Sequence, residues 1–433
     1  NSRLRLYREI HPAIFFLVIT DPDDFATAAA HCLKKHFGYA FLKPWLGNGL
    51  VSANDVSIWK RHRKLLSPAF SQIVIDGFMN IFNSESRILV DELSVNVGKG
   101  PFRHAEYLDK MTLESVCQTV FGINDTNEFN KDSYVVNMRK IMHITIQRFL
   151  KWWTHFDLIY RFTPLKHEED QVLRKLNEMS ETVRTAKSDF ILYYVVIIFN
   201  ISTDKRFKAF LDLALELGDK GSLTDKEVWD EMNTIILAGY ETTGNCLMYT
   251  LMLVGSHNNV QNKIYEELRS VFGDSHRDVE KQDLSKLVYL EAVIKESLRV
   301  YSITPVMLRH VDYDVQLKNY TIPSGSSCLL FTCGLHKHPI WGDDVIQFRP
   351  ERWLDPVALA DPNAAIHKAF AGFGSGKRYC LGKTYAMISM KTTLAHVLRH
   401  YRISGDVTKM PLKVDPLLKP VCGDNISIEL RVV

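Results

Sequence analysis

The chain has 433 residues, of which 46% are hydrophobic and 24% charged, with a formal net charge of +3. This balance excludes a disordered or low-complexity protein. It also argues against nucleic acid as a partner, because proteins that follow a phosphate backbone carry a concentrated basic excess. The seven cysteines include no C-x-x-C pair, so they match neither a disulfide framework nor a zinc site and fit a reducing environment.

Hydrophobic periodicity and breaker residues predict one domain over residues 1–433 that is mainly α with small β-sheets (α+β). Turn residues and β-branched residues predict short strands and hairpins in 302–331, followed by an irregular stretch to Phe373 and by strands at the C-terminus. The capping-type stretch at Thr224 starts a helix of about 45 Å, long enough to cross the molecule. The predicted helices are Asp23–Lys35, Asn54–Leu66, Gln171–Lys187, Thr224–Leu253, Leu284–Tyr301 and Leu381–His400.

Two features bear on membranes. The chain begins Asn1-Ser2 without an initiator methionine or a leading apolar segment, so we expect either a soluble protein or a missing N-terminal segment. The longest apolar run, Phe190–Phe199, is about half the roughly 20 residues that a transmembrane helix needs. We therefore interpret it as a buried segment.

The strongest local motif is a glycine-rich loop, Phe373–Gly382, which brings Cys380 to the N-terminus of a helix. Unpaired N–H groups and the helix dipole favour a thiolate there. Gly376 and Gly382 leave room for a flat body near the backbone, and Arg378 offers a fork for carboxylates.

Three alternatives stand beside this interpretation. A small buried hydrophobe is the commonest fate of a free cysteine. A cysteine hydrolase needs a partnered histidine, which sixteen histidines offer by chance; His336-Lys337-His338 is most simply a solvated or structural feature. A phosphate-binding loop is excluded, because Ala371 and Lys377 occupy positions where G-x-x-x-x-G-K-[ST] needs glycine.

The second motif is Ala238–Thr243, in the middle of the long helix. A mid-helix glycine costs about 1 kcal/mol relative to alanine, and Thr242 can bond back to the carbonyl of Ala238. The pair would leave a small polar notch in which Glu241 and Thr242 relay protons. Taken alone, a packing glycine beside a surface Glu-Thr pair is the simpler interpretation.

Two further residue pairs do not indicate a function when each is considered alone. Glu296 and Arg299 are one helical turn apart, which usually means a surface pair; burial with Arg352 would make a structural clamp. Trp59 and Arg63 share one helix face and could bind a carboxylate together.

In this order and spacing, the motifs resemble the haem-thiolate monooxygenases of the cytochrome P450 superfamily. F-x-x-G-x-R-x-C-x-G is complete around Cys380, [AG]-G-x-[DE]-T is complete in Ala238–Thr242, and the E-x-x-R, P-E-R and W-x-x-x-R elements are present. The resemblance covers the chain from about Ile14. The sequences of 59–70 and 231–234 are most similar to those of the animal/insect family-4 clan.

The resemblance implies a cytochrome P450 fold with haem b, held without a covalent bond, and Cys380 as the proximal iron ligand. It assigns the haem propionates to four residues, while Phe373 packs near the cysteine. Glu241 and Thr242 guide protons during oxygen activation, and Glu296, Arg299 and Arg352 lock the core. The propionate-binding residues are Trp59, Arg63, Arg309 and Arg378.

It also implies insertion of one oxygen atom from O₂ into a hydrophobic substrate: a fatty acid, a terpenoid or hormone, or a xenobiotic. Substrate would meet Ala238, Thr242, the loop 42–50 and the strand 303–307, which are largely apolar. Electrons would come from NADPH through NADPH-cytochrome reductase, with cytochrome b5 as a further donor. We expect the cytosolic face of the endoplasmic reticulum membrane, with an exposed basic rim at Lys377 and Lys383 for the reductase.

The chain departs from the family in three ways. The sequence does not include the family's membrane anchor and proline hinge, so we expect it to be N-terminally incomplete. The run 190–199 replaces an expected charged segment, and Ala238 stands where the fatty-acid hydroxylase branch esterifies a glutamate to the haem. Two other functions remain open: a haem-thiolate isomerase or dehydratase, and a non-catalytic haem- or lipid-binding protein. The Glu241-Thr242 pair counts against the isomerase, which needs no proton delivery.

Overall fold

The computed structural model describes residues 5–7, 16–121, 131–178 and 210–431. Its architecture is mainly α with small separate sheets, which confirms the predicted fold class. The apolar run Phe190–Phe199 lies outside the described residues. No helix within the described ranges is long and apolar enough to cross a bilayer.

Helices account for most of the described chain. In chain order they are α1 (Pro22–His31), α2 (Lys43–Leu46), α3 (Val56–Leu66), α4 (Gln72–Asp76), α5 (Met79–Ser94), α6 (Ala105–Phe121), α7 (Lys131–Leu150), α8 (Asp157–Tyr160), α9 (described over 164–178), α10 (Phe210–Asp219), α11 (Asp225–Ser256), α12 (Asn258–Phe272), α13 (Lys281–Leu284), α14 (Val288–Val300), α15 (Thr332–Leu335), α16 (Pro356–Ala360), α17 (Ala365–Lys368) and α18 (Lys383–His400). Short 3₁₀ segments are Phe37–Leu42, Ser67–Phe70, Trp152–His155, Pro339–Trp341, Pro350–Trp353, Gly376–Arg378 and Val407–Lys409.

The strands form four small sheets. They are β1 (Arg5–Tyr7), β2 (Phe16–Ile19), β3 (Phe102–Arg103), β4 (Val306–His310), β5 (Val315–Gln316), β6 (Thr321–Ile322), β7 (Ser327–Phe331), β8 (Tyr401–Gly405), β9 (Leu412–Asp415), β10 (Leu417–Pro420) and β11 (Asn425–Leu430). The largest sheet has the order β1-β2-β7-β4, in which β2 and β7 are parallel and the other pairs antiparallel. The others are β3-β11-β8, β5-β6 and β9-β10.

The chain divides into two compact units. The larger consists of Asn1–His36, Phe78–Thr112 and Gly239–Val433, and it contains all the described strands. Its apolar core includes Phe25, Val311, Leu330 and Trp353. The smaller consists of Phe37–Gly77 and Leu113–Ala238 and is helical.

Capping explains why several helices begin where they do. The Asp55 carboxylate accepts hydrogen bonds from two backbone N–H groups at the start of α3. Thr224 and Glu227 form a reciprocal capping box at the start of α11. Helix α11 has 32 residues and a length of about 48 Å, and it continues without a break through Gly239. This agrees with the predicted long helix.

Some predicted bounds were wrong. The first helix ends at His31, four residues before Lys35, because the chain turns to make a β-bridge between Lys35 and Arg309. The segment predicted to start at Leu284 is broken: α13 has its own capping box, and α14 starts at Val288. The helix predicted from Gln171 is already helical at residue 164, a proline, which favours a first helical position.

Candidate active site

The cysteine loop lies in the larger unit, and backbone contacts fix its path. The Cys380 N–H donates to the Phe373 carbonyl at 2.8 Å. Gly374 and Gly376 have φ of 76° and 66°, the left-handed region that glycine tolerates. A Cβ on Gly376 would lie 2.3 Å from the Ala29 carbonyl oxygen of α1, so only glycine allows this close approach.

Cys380 precedes the last helix instead of starting it. The N-cap of α18 is Gly382, so the helix begins two residues later than predicted. The Cys380 side chain is exposed, and Phe373 is half-buried. Cys32, Cys117, Cys246 and Cys328 are buried, and burial raises the pKa of the Cys246 thiol to about 12. The alternative that Cys380 is a buried hydrophobe is therefore wrong.

A buried histidine supports the beginning of this loop. His336 Nε2 accepts a hydrogen bond from the Ala371 N–H at 2.9 Å, so its proton is on Nδ1, which donates to Ser302 Oγ at 2.7 Å. The ring also stacks on Phe370. Burial lowers the pKa of His336 to about 3, so the ring stays neutral and keeps Nε2 as an acceptor.

Three cations converge in the same unit. Lys35 and Arg309 are joined by a β-bridge, and burial, together with the charges of Arg309 and Arg378, holds the pKa of Lys35 well below its usual range. Arg309 is 3% exposed, and within the described residues its guanidinium donates to the Leu308 carbonyl and the Met307 sulfur, not to a carboxylate. A buried guanidinium among like charges favours an anion.

Helix α11 presents one accessible face. Most of its central residues are buried, whereas Ala238, Thr242 and Asn245 are half-buried at helical spacing. Glu241 is buried and forms an ion pair with Lys419 of β10, with Nζ and Oε1 2.5 Å apart. The predicted surface Glu-Thr alternative is therefore wrong for Glu241.

The pair predicted from E-x-x-R is buried with a second arginine. Arg299 donates to both Glu296 carboxylate oxygens at 2.8 and 2.9 Å, and Arg352 Nε donates to Oε1 at 2.9 Å. Trp353 Nε1 donates to Oε2 at 2.9 Å, and Arg299 also donates to the His336 carbonyl at 3.0 Å. Every charge in this cluster has a partner, as a structural clamp requires.

Trp59 and Arg63 lie one turn apart on α3, in the smaller unit. Trp59 is buried and Arg63 half-buried. The structure thus brings Arg309, Arg378 and Cys380 into one unit and leaves this pair in the other.

The residues present fit a haem. A soft thiol on a glycine-rich loop suits an iron centre, and the buried cations suit the two carboxylates at one edge of the macrocycle. Among the described residues, no three His, Cys, Asp or Glu side chains are grouped to hold a metal by themselves.

Three residues of this site were missed in the sequence. Lys35, His336 and Lys419 carry no motif of their own. Each acquires its role from a contact far along the chain, such as Lys35 with Arg309 and His336 with Ala371. Only the position of Lys35, as the last residue of a predicted helix, offered a weak signal.

Comparisons with known proteins agree with this chemistry. A family model described as Cytochrome P450 matches residues 14–422. Cytochrome P450 4V2 of Mus musculus is 32% identical over 410 residues, which cover 92% of this chain and 77% of that protein. Cytochrome P450 4g1 of Drosophila melanogaster is 29% identical over 458 residues, which cover 96% of this chain and 81% of that protein. Cytochrome P450 4c3 of the same species is 30% identical over 416 residues, which cover 92% of this chain and 76% of that protein.

Proposed function

Because the chain belongs to the cytochrome P450 family and is a family-4-like haem-thiolate monooxygenase, we propose that it inserts one oxygen atom into a lipophilic substrate at a haem that Cys380 ligates. The observation that carries this proposal is the exposed thiol of Cys380 on a glycine-rich loop, in the unit that also contains the buried cations Arg309 and Lys35. The haem, when bound, supplies the oxygen-activating chemistry.

The chain's own residues hold the haem. Arg309, Arg378 and Lys35 bind the propionates, and the anionic groups relieve the repulsion among these cations. Phe373 packs beside the cysteine loop. By family resemblance, Trp59 and Arg63 on α3 are further propionate ligands.

The haem is haem b without a covalent tether. The position that carries an esterified glutamate in the fatty-acid hydroxylase branch is Ala238, whose methyl group forms no ester. Glu241 lies three residues further, about 4.5 Å along the axis and roughly 60° around it, and its carboxylate is paired with Lys419. It is therefore not positioned to replace that glutamate.

Glu241 and Thr242 move protons to the reacting site. Thr242 lies on the accessible face of α11, and Glu241 beside it is a buried carboxylate that its ion pair with Lys419 holds in place. A hydroxyl next to a carboxylate makes a relay in which Thr242 delivers the proton.

The substrate is hydrophobic. The segment 42–50, which includes α2, and the segment 303–307, which leads into β4, supply Leu42, Leu46, Leu50, Ile303 and Val306, which favour apolar ligands. Fatty acids, terpenoids and hormones, and xenobiotics all meet this requirement.

Electrons come from NADPH through NADPH-cytochrome reductase, with cytochrome b5 as a second donor. Lys377 and Lys383 flank Cys380 and are exposed, which supports docking of an acidic partner there.

The protein works on the cytosolic face of the endoplasmic reticulum membrane. Support comes from large apolar side chains that are exposed within one short segment of the smaller unit, a composition that suits a bilayer interface. They are Leu150, Trp152, Trp153, Phe156, Leu158, Ile159 and Phe162.

The test is turnover with labelled oxygen. The haem-loaded chain, with reductase, NADPH and ¹⁸O₂, is incubated with a panel of fatty acids, terpenoids and aromatic toxins. One ¹⁸O atom in a product is expected. Thr242→Ala should retain haem and substrate binding but divert reducing equivalents to peroxide, with product formation lowered roughly 10²–10⁴-fold. NADPH-independent rearrangement of peroxides, or haem binding without any turnover, would contradict the proposal.

A further inference from the structure

The loop at residues 47–50, here the latch loop, is bonded to the first turns of α11 through its backbone. The Asn48 N–H donates to Asp230 Oδ2 at 2.8 Å, and the Leu50 N–H donates to Glu231 Oε2 at 3.1 Å. Both acceptors are buried carboxylates of adjacent residues on one helix. Charge-assisted bonds of this kind are about twice as strong as neutral ones, so the loop has two strong attachments.

Glycine makes this close approach feasible. Gly47 has a φ of 48°, and a Cβ there would lie 1.9 Å from Asp230 Oδ2. A Cβ on Gly49 would lie 2.0 Å from Thr234 Oγ1 and 2.6 Å from the Asp230 carbonyl oxygen. Any side chain at either position would push the loop away from α11.

A buried histidine shares the second carboxylate. His62 of α3 is fully buried, and its Nδ1 lies 2.6 Å from Glu231 Oε1. Its Nε2 lies 3.2 Å from Glu227 Oε1 and 3.2 Å from Arg61 Nη2. Glu231 therefore accepts from the latch loop with one oxygen and from α3 with the other.

The surrounding charges favour the imidazolium. Burial alone would lower the pKa of His62, but the hydrogen bonds and charges of Glu231 and Glu227 outweigh burial and raise it. Burial also raises the pKa of Glu231, and the hydrogen bonds from His62 and the Leu50 N–H oppose that shift. Asp230, next to Glu231, is paired with Lys226, and Glu216 on α10, which also packs on α3, is paired with Lys220. When His62 is charged, Nε2–H donates to Glu227; when it is neutral, Nε2 accepts from Arg61.

We propose that Glu231 and His62 are positioning residues that determine substrate specificity: they form an ionic latch that holds the latch loop against α11 and so sets the shape of a substrate-facing surface. This inference rests on the proposed function, which assigns the loop 42–50 to the substrate. The latch also holds α3 against α11, and on α3 Trp59 and Arg63 flank His62. Neither latch residue takes part in the chemistry.

The first test measures the attachment without a ligand. Hydrogen exchange of the Asn48 and Leu50 amides is followed in the haem-loaded full chain from pH 6 to 9. Protection of Leu50 should fall as the pH rises through the raised pKa of His62, because the charged bond weakens. Glu231→Gln keeps an acceptor but loses the charge, so protection should drop roughly tenfold and lose its pH dependence.

The second test measures ligand recognition, with glycine variants as a matched pair. Gly49→Ala inserts a methyl group against α11, whereas Gly218→Ala in α10 makes only ordinary contact, 3.7 Å from Val228. Dodecanoic acid should bind roughly tenfold more weakly to Gly49→Ala and His62→Gln, by spectral titration, and unchanged to Gly218→Ala. Imidazole, which binds the iron directly, should bind equally to all.

The outcomes separate this inference from the proposed function. Unchanged exchange at Leu50 in Glu231→Gln, or equal dodecanoic acid binding in Gly49→Ala and Gly218→Ala, would overturn the latch. A wild-type chain that lacks the thiolate spectrum, or that responds to no lipophilic ligand, would overturn the proposed function instead, and the exchange data would still decide the latch.

Discussion

Two groups of buried arginines in the larger unit have opposite surroundings. In the clamp, Arg299 and Arg352 share the Glu296 carboxylate, and their remaining donors bond to carbonyls of the irregular segment. In the cation cluster, Arg309 lies as deeply buried beside Lys35, and its donors meet a carbonyl and a sulfur. The same side chain is neutralised within the chain in one place and opposed by like charge in the other.

This difference in the surrounding charges distinguishes a cluster with a structural role from a cluster with a ligand-binding role. Buried ionic groups without compensation are costly, and a fold retains them where an external group supplies the missing charge. The clamp is therefore complete without a ligand, whereas the proposed function assigns an anion to the cation cluster. Burial of a charged residue does not by itself distinguish a structural role from a ligand-binding role. The sign of the charges on the neighbouring residues does.

Breaking the clamp should have the largest effect. Glu296→Gln leaves two buried guanidinium groups without their carboxylate and should lower the free energy of unfolding by about 3–5 kcal/mol. Urea unfolding followed by circular dichroism measures this. Lys263→Met, which removes an exposed pair with Glu351, is the control and should cost less than about 1 kcal/mol. Equal losses in the two variants would refute the structural role of the clamp.

Removing a cation from the cation cluster should weaken haem binding without lowering the free energy of unfolding. Arg309→Met eliminates a charged bond worth about 1.5–3 kcal/mol, so transfer of haem to apomyoglobin should be roughly 10- to 100-fold faster. The unfolding free energy without haem should not fall, since the substitution removes charge repulsion with Lys35. The exposed Arg402→Met is the control. Haem loss at the wild-type rate would place the propionates elsewhere.

His336 connects the clamp with the segment that leads into the cysteine loop, and it gives a smaller, pH-dependent effect. Its carbonyl accepts from Arg299, and its ring accepts from Ala371 at the start of the cysteine loop. Because its pKa in the folded chain is about 3, the stability it contributes is present above about pH 6.5 and is lost as the pH falls toward 3. From pH 6 to 5, wild type should lose about 1 kcal/mol more than His336→Gln. Parallel pH curves would contradict this.

Sequence patterns predicted the parts of this account that are local. The capping box at Thr224, the cap at Asp55 and the glycines before Cys380 each determine the backbone within a few residues. They were sufficient for the long helix and the fold class.

The remainder depended on contacts between distant segments. The sequence left His336 as a solvated or structural feature, because nothing near it in sequence reveals its bonds to Ser302 and Ala371. Lys35 was assigned to a helix that ends before it, and Lys419 carries no motif. The electrostatic environment of a charged group is a property of the packed chain, so these residues could not be predicted from their neighbours.

The central claim is that Cys380 ligates a haem iron as a thiolate, and the ferrous carbon-monoxide spectrum tests it most directly. Wild type should show the strongly red-shifted Soret band of a thiolate-bound haem. Cys380→Ala should lose that band, while Cys422→Ala, which removes the other exposed thiol, should keep it. An unshifted band in folded wild-type protein, as histidine ligation produces, would contradict the account.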